Sequence, residues 1–227
     1  MLSANDLISI DDLTAKDIEL IWQTTASFKE ILKRPIKKVP TLRGKTIINL
    51  FLEASTRTRT SFEIAGKRLS ADVINISASG SSLVKGESLK DTAKTLESMQ
   101  PDAVVVRHWS SGAAYHLAQL IQPAVINAGD GQHEHPTQAL LDAYTLLEKL
   151  GSLKGINFVI VGDIAHSRVA RSLIKLMPRL GTNLSLVCPP TLLPLGIQDY
   201  VSKVYYRLDE ALAKADVLYL LRLQQER

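Results

Sequence analysis

Short apolar runs alternate along most of the chain with stretches whose apolar residues recur every three or four positions. The runs TIINLFL (46–52), DVINIS (72–77), DAVVV (102–106) and AVINA (124–128) have the length and β-branched content of buried strands. Between them the spacing predicts helices with inward faces at Phe62, Ala65, Gly66 and Leu69, then Leu89, Thr92, Ala93 and Leu96, then Ala114, Leu117, Ala118 and Ile121. An opening helix over residues 15–33 precedes them, with Thr14 and Asp17 as a capping box and Ile18, Ile21, Trp22, Thr25 and Phe28 on one face. A further helix from Pro136 to Leu150, apolar at Leu140, Ala143, Tyr144 and Leu147, leads into GSLKG. The alternation then resumes with NFVIVGD (157–163), LSLVC (184–188), KVYY (203–206) and DVLYLL (216–221).

Continuously apolar strands separated by amphipathic helices predict parallel sheets covered on both faces. The expected fold class is therefore α/β, with two doubly wound domains around central parallel sheets: residues 1–135, an interdomain helix over 136–150, and a second domain over 151–227. Open α/β sheets bind ligands beyond the carboxyl ends of their strands. The loops there, gathered at an expected crevice between the domains, are where chemistry is to be sought.

Composition refines the picture modestly. With 227 residues, 45% hydrophobic and 22% charged, the chain has the make-up of a globular protein, and a net charge of +4 spread singly favours small anions over nucleic acid. Cys188 is the only cysteine, which rules out an intrachain disulfide and fits a cytoplasmic setting. The start MLSANDLISIDD is too acidic for a signal peptide, and no stretch reaches the roughly 18 apolar residues of a membrane span.

One strand-to-helix turn concentrates donors. Ser55, Thr56, Arg57, Thr58 and Arg59 stand where a strand ends and a helix opens, so backbone N–H groups and the positive end of the helix dipole point outward. Such a turn suits phosphate, and Arg57 adds a planar fork for its oxygens; a plain helix cap with two solvated arginines is the competing explanation. The only GK[ST], Gly44 to Thr46, lies before its strand and lacks the upstream glycine of a nucleotide-binding loop. Other strand ends repeat the theme: Ser81, Ser82 and Lys85 in SASGSSLVKGES, Arg107 after DAVVV, His135 and Gln138 at the Pro136 helix, Arg168 after VGD, and Arg222 with Gln224 after DVLYLL. His133 and His135 lack a third partner, so no metal site is expected. Gly129 and Gly131 lead to Glu134 where a dinucleotide fingerprint needs a third glycine. Cations gathered at strand ends predict a strongly anionic ligand.

FLEASTRTRTSFE, SSLVKGESLKDT, VVVRH, GDGQHEHPTQALLD, VGDIAHSRVARS and YLLRLQQER, in this order, resemble the catalytic chains of the aspartate carbamoyltransferase family through nearly the whole length. Glu53, where ornithine carbamoyltransferases usually have lysine, points the resemblance to aspartate. It implies a carbamoyltransferase-like fold and transfer of the carbamoyl group of carbamoyl phosphate to L-aspartate, without metal or organic cofactor. Ser55, Thr56, Arg57 and Thr58 would hold the phosphate; Thr58, Arg107 and His135 would surround the carbamoyl oxygen, and Gln138 its NH₂. Arg168, Arg222 and Gln224 would bind the aspartate carboxylates. Ser81, for carbamoyl phosphate, and Lys85, for catalysis and aspartate, would come from the neighbouring subunit of a homotrimer. Regulatory chains or a dihydroorotase are candidate further partners; nucleic acid and membrane are not. Family members continue past QQER through a strand, a P-L-P-R segment and C-terminal helices, so the chain is expected to be a truncated catalytic subunit whose second domain lacks its C-terminal part.

Overall fold

The computed structural model describes residues 2–77 and 87–222. The chain divides into two compact units, Met1–Gly131 and Gln132–Arg227.

In the first unit α1 (Ala15–Leu32) is followed by β1 (Thr46–Phe51), α2 (Thr56–Arg68), β2 (Asp72–Ser77), α3 (Leu89–Ser98), β3 (Ala103–His108), α4 (Ala113–Leu120) and β4 (Ala124–Asp130). The strands form one parallel sheet in the order β2-β1-β3-β4. Alternation along β1 sends Ile48, Leu50 and Leu52 into a core with Val104, Val106, Ala93, Leu96 and Leu117, the last three from α3 and α4. Phe51 faces the other way, where Val105, Ala128 and the half-buried Phe62 of α2 meet it. Each wholly buried Ile or Leu of this kind contributes about 1.5 to 3 kcal/mol. The N-terminal segment lies along β4: the Leu7 N–H donates to the Val125 carbonyl at 2.9 Å, and the Leu7 carbonyl accepts from Asn127 N–H at 2.9 Å.

The second unit contains α5 (Pro136–Leu150), β5 (Asn157–Val161), α6 (Arg168–Arg179), β6 (Asn183–Val187), β7 (Lys203–Tyr205), α7 (Leu208–Leu212) and β8 (Val217–Leu220). Its parallel sheet has the order β7-β6-β5-β8. Val159 and Val187 pack with Tyr205 and with Ala211 of α7 on one face. α6, with Leu173, Leu176 and Met177 wholly buried, packs on β6 and on α5. Pro136 opens α5, and Gly151 closes it at φ 76°, a left-handed conformation suited to glycine.

The two parallel sheets with flanking helices agree with the α/β fold class expected from the sequence. Two details differ. Ala65 of α2 is exposed to the side of α1, where it lines a groove of about 240 Å³ with Phe28 and Leu32, and the face expected for α1 is fully buried only at Ile18. β2 and β8 are sheet edges, so Ile74 and Leu220 stay exposed where full burial was expected of a parallel strand. Cys188 is buried and carries a free thiol. No helix among the described residues is long and apolar enough to cross a membrane.

Candidate functional site

Each sheet has one place where strand order reverses and successive crossovers leave toward opposite faces. In the first this is the β1–β3 boundary, and in the second the β5–β8 boundary. The sequence-expected residues of each unit fall largely at these points.

At the first, Leu52 N–H donates to the Arg107 carbonyl at 2.9 Å, holding the ends of β1 and β3 together. Ser55 is the N-cap of α2, and its carbonyl accepts from Arg59 N–H at 3.2 Å. Its hydroxyl, however, makes no capping bond, although Thr14, Ser88 and Ser167 all cap their own helices through the side chain. The N–H groups of Thr56, Arg57 and Thr58 have no intrahelical partner, as in any first turn, and no acid occupies that turn. Thr56 and Arg57 are exposed while Ser55 and Thr58 are half-buried. A Ser hydroxyl, three backbone N–H groups and a guanidinium at a dipole's positive end form a receptor for an oxyanion.

Arg107 is held across the same strand ends. Its Nη2 donates to Glu53 Oε1 at 2.7 Å and its Nη1 to the Ala128 carbonyl at 3.2 Å, which fixes the plane of the fork. Next to it His108 is buried and accepts from Ser110 N–H through Nδ1 at 2.8 Å; burial pushes its pKa down, against the nearby Asp130 and Glu53.

In the second unit His135 is the N-cap of α5 and is buried. Its N–H donates to Ser172 Oγ at 2.9 Å, and that hydroxyl donates to Glu134 Oε2 at 3.0 Å. Glu134 is 0% exposed and pairs with the half-buried Lys175 of α6 at 2.7 Å, which anchors the loop that carries His135. Gln138 Nε2 donates to Asp142 Oδ1 at 2.9 Å, and Asp142 Oδ2 accepts from the Tyr219 hydroxyl of β8 at 2.8 Å.

At the β5–β8 boundary Leu221 N–H donates to the Val161 carbonyl at 2.9 Å. Gly162 has φ +127°, and a Cβ there would stand 3.0 Å from Leu221 Cβ. Only glycine lets the two strand ends approach this closely. Asp163 Oδ1 accepts from the His166 N–H at 3.1 Å, turning the loop back to Ser167, which caps α6. Arg168, half-buried, is the first residue of α6, and the exposed Arg222 follows β8.

The first unit thus brings together Ser55, Thr56, Arg57, Thr58 and Arg107, and the second places His135 with Gln138 at one helix start and Arg168 with Arg222 at one switch point. Ser81, Lys85 and Gln224 lie outside the described residues. Glu134, Ser172, Lys175, Asp142 and Tyr219 escaped the sequence reading. Ser172 and Lys175, spaced i, i+3 on a helix otherwise buried through Leu173 and Leu176, were the visible signal of a polar partner. Among the described residues no group of three or more His, Cys, Asp or Glu could hold a metal ion.

Residues 5–148 match the family model "Aspartate/ornithine carbamoyltransferase, carbamoyl-P binding domain", and residues 154–227 match "Aspartate/ornithine carbamoyltransferase, Asp/Orn binding domain". The aspartate carbamoyltransferase catalytic subunit of Acidothermus cellulolyticus is 61% identical over 221 residues, 97% of this chain and 68% of that protein. Aspartate transcarbamoylase from Trypanosoma cruzi, solved with aspartate and phosphate, superposes with a TM-score of 0.90 at 34% identity, over 97% of this chain and 75% of that one. The same enzyme solved with carbamoyl aspartate and phosphate gives 0.89 at 34% identity, over 98% and 76%.

Proposed function

The chain belongs to the aspartate carbamoyltransferase family of catalytic subunits, and on that premise we propose that the α2 start is its phosphate site and the β5–β8 switch point its dicarboxylate site. The activity is transfer of the carbamoyl group of carbamoyl phosphate to the α-amine of L-aspartate, giving N-carbamoyl-L-aspartate and phosphate, a step of pyrimidine biosynthesis. The neutral amine attacks the carbamoyl carbon. As the C–N bond forms the nitrogen passes a proton to an oxygen of the phosphate group, and the C–O bond then breaks with its electron pair leaving on that phosphate. Phosphate is a good leaving group, so positioning and fixed charge carry most of the catalysis.

Ser55, Thr56, Arg57 and Thr58 take the phosphate oxygens. Thr58, Arg107 and His135 meet the oxyanion that forms on the carbamoyl oxygen, and Gln138 accepts from the carbamoyl NH₂. Arg168 and Arg222, with Gln224, pair with the aspartate carboxylates. Ser81 and Lys85 complete the site of a neighbouring subunit in a cytoplasmic homotrimer. The observation that carries the assignment is the Ser55 turn: among the described α-helices with Ser or Thr N-caps it alone makes no side-chain capping bond, and it sits at a switch point beside a fixed arginine.

Substitution separates the two halves. Arg57→Ala removes one charge-assisted fork from the leaving phosphate and is expected to cost about 2 to 4 kcal/mol in the transition state, with folding intact because the side chain is exposed. Arg168→Ala is expected to raise KM for aspartate while sparing carbamoyl phosphate binding. Near-normal turnover in folded Arg57→Ala protein would remove the phosphate assignment.

A further inference from the structure

We propose that Asp142 is a positioning residue: a carboxylate that orients the Gln138 amide so that its carbonyl oxygen, not its NH₂, is presented to the carbamoyl NH₂ of the substrate, and that ties this orientation through Tyr219 to the strand leading to Arg222. The inference rests on the assignment of Gln138 to the carbamoyl NH₂. An ionised carboxylate only accepts hydrogen bonds, so the amide facing it must turn its donor inward. Gln138 Nε2 meets Asp142 Oδ1 at 2.9 Å, which leaves Oε1 directed away as the acceptor that a carbamoyl NH₂ requires.

The second oxygen of Asp142 is committed as well, to the Tyr219 hydroxyl at 2.8 Å. Tyr219 lies on β8, three residues before Arg222, and its ring lies against Phe158 of the central strand at 6.0 Å between centroids. One carboxylate therefore registers both the first turn of α5 and the strand that supplies a dicarboxylate-binding arginine.

Stability does not account for the arrangement. An i, i+4 amide–carboxylate pair on a helix is worth only about 0.2 to 0.5 kcal/mol. Against it stands the burial of Asp142, which raises its pKa and disfavours the charged form. Gln138 on its own helix and the Tyr219 phenol of β8 are the groups that oppose this shift, and no charged group of α6, the other element packed on α5, contributes to it. The Tyr219 phenol, itself raised by burial and by Asp142, stays a donor. A protonated Asp142 could donate to Gln138 Oε1 and so admit the reversed amide.

The experiment compares Gln138→Ala, Asp142→Asn, Tyr219→Phe and the Gln138→Ala/Asp142→Asn double variant, reading KM for carbamoyl phosphate, kcat against pH and the thermal midpoint. Asp142→Asn admits both amide orientations and is expected to raise KM for carbamoyl phosphate about 5- to 10-fold, the loss of roughly one hydrogen bond, without lowering the thermal midpoint. In the Gln138→Ala background the same substitution should add nothing, since there is no amide left to orient. Tyr219→Phe removes a bond that favours the ionised carboxylate and should move the acid side of the pH profile to higher pH. If Gln138→Ala impairs the enzyme while Asp142→Asn and Tyr219→Phe behave as wild type, or if the Asp142 and Gln138 effects simply add, the positioning role is overturned and the site stands. Native kinetics in Gln138→Ala would overturn the assignment of Gln138 and this inference with it.

Discussion

His108, one residue beyond Arg107, is locked as a neutral acceptor by the Ser110 N–H and by burial. Its pKa in the folded state lies below the ordinary 6.5, so between that value and its folded pKa the unfolded chain binds more protons than the folded one. Stability is thus fully present above about pH 6.5 and is lost as pH falls through the folded pKa. Thermal unfolding measured across this window should show a falling midpoint, and His108→Asn, whose side-chain carbonyl can replace the Nδ1 acceptor, should flatten that part of the curve. An unchanged slope would show that His108 is not the group responsible. At this scale the sequence was most informative where chemistry is local. The Ser55 to Thr58 donors and the Thr14 and Asp17 capping box depend only on a strand followed by a helix, and both were legible. Glu53 with Arg107 and Glu134 with Lys175 are separated by 54 and 41 positions, and no periodicity reports such pairs.

α2 carries the turn proposed to hold phosphate, and one glycine sets its seat on the sheet. A Cβ at Gly66 would stand 2.5 Å from Val73 Cγ2 on β2, a branched side chain with little room to yield. Gly66→Ala should therefore push α2 off the sheet and destabilise the fold by about 1 to 3 kcal/mol, with weaker carbamoyl phosphate binding as Ser55 shifts. Urea unfolding and equilibrium binding on the same samples check both effects, and full stability with native binding would place the helix elsewhere. This close approach also explains why the inward face read from the sequence was too wide: contact narrows to Gly66 and Phe62, and Ala65 turns toward α1. The alternation of apolar runs and amphipathic stretches was enough to place strands and helices, since period 2 and period 3.6 differ clearly over ten residues. Strand order was not, because β8 reads as apolar as β5 yet lies at an edge. Hence the switch points, which rationalise why Arg107 and Arg168 stand where they do, emerged only from the folded sheets.

Across the whole molecule, each unit gathers cationic side chains at one sheet switch point, and the proposed function gives phosphate to the first and two carboxylates to the second. The roles proposed for Ser81 and Lys85 would have neighbouring subunits of a homotrimer share their sites. Arg57→Ala and Lys85→Ala chains, each inactive alone, should regain partial activity when dissociated and reassembled together, because a mixed trimer contains sites in which both residues are native. Silence in a verified mixed trimer would place Lys85 in its own subunit's site. The acceptor amine decides between the readings, and the dicarboxylate site proposed at Arg168 and Arg222 selects L-aspartate. The most direct measurement follows carbamoyl transfer from carbamoyl phosphate in the presence of L-aspartate or L-ornithine, scoring the carbamoylated amino acid against phosphate released. The prediction is N-carbamoyl-L-aspartate in equal yield with phosphate and no transfer to ornithine; transfer to ornithine, or phosphate release without a carbamoylated aspartate, would contradict it.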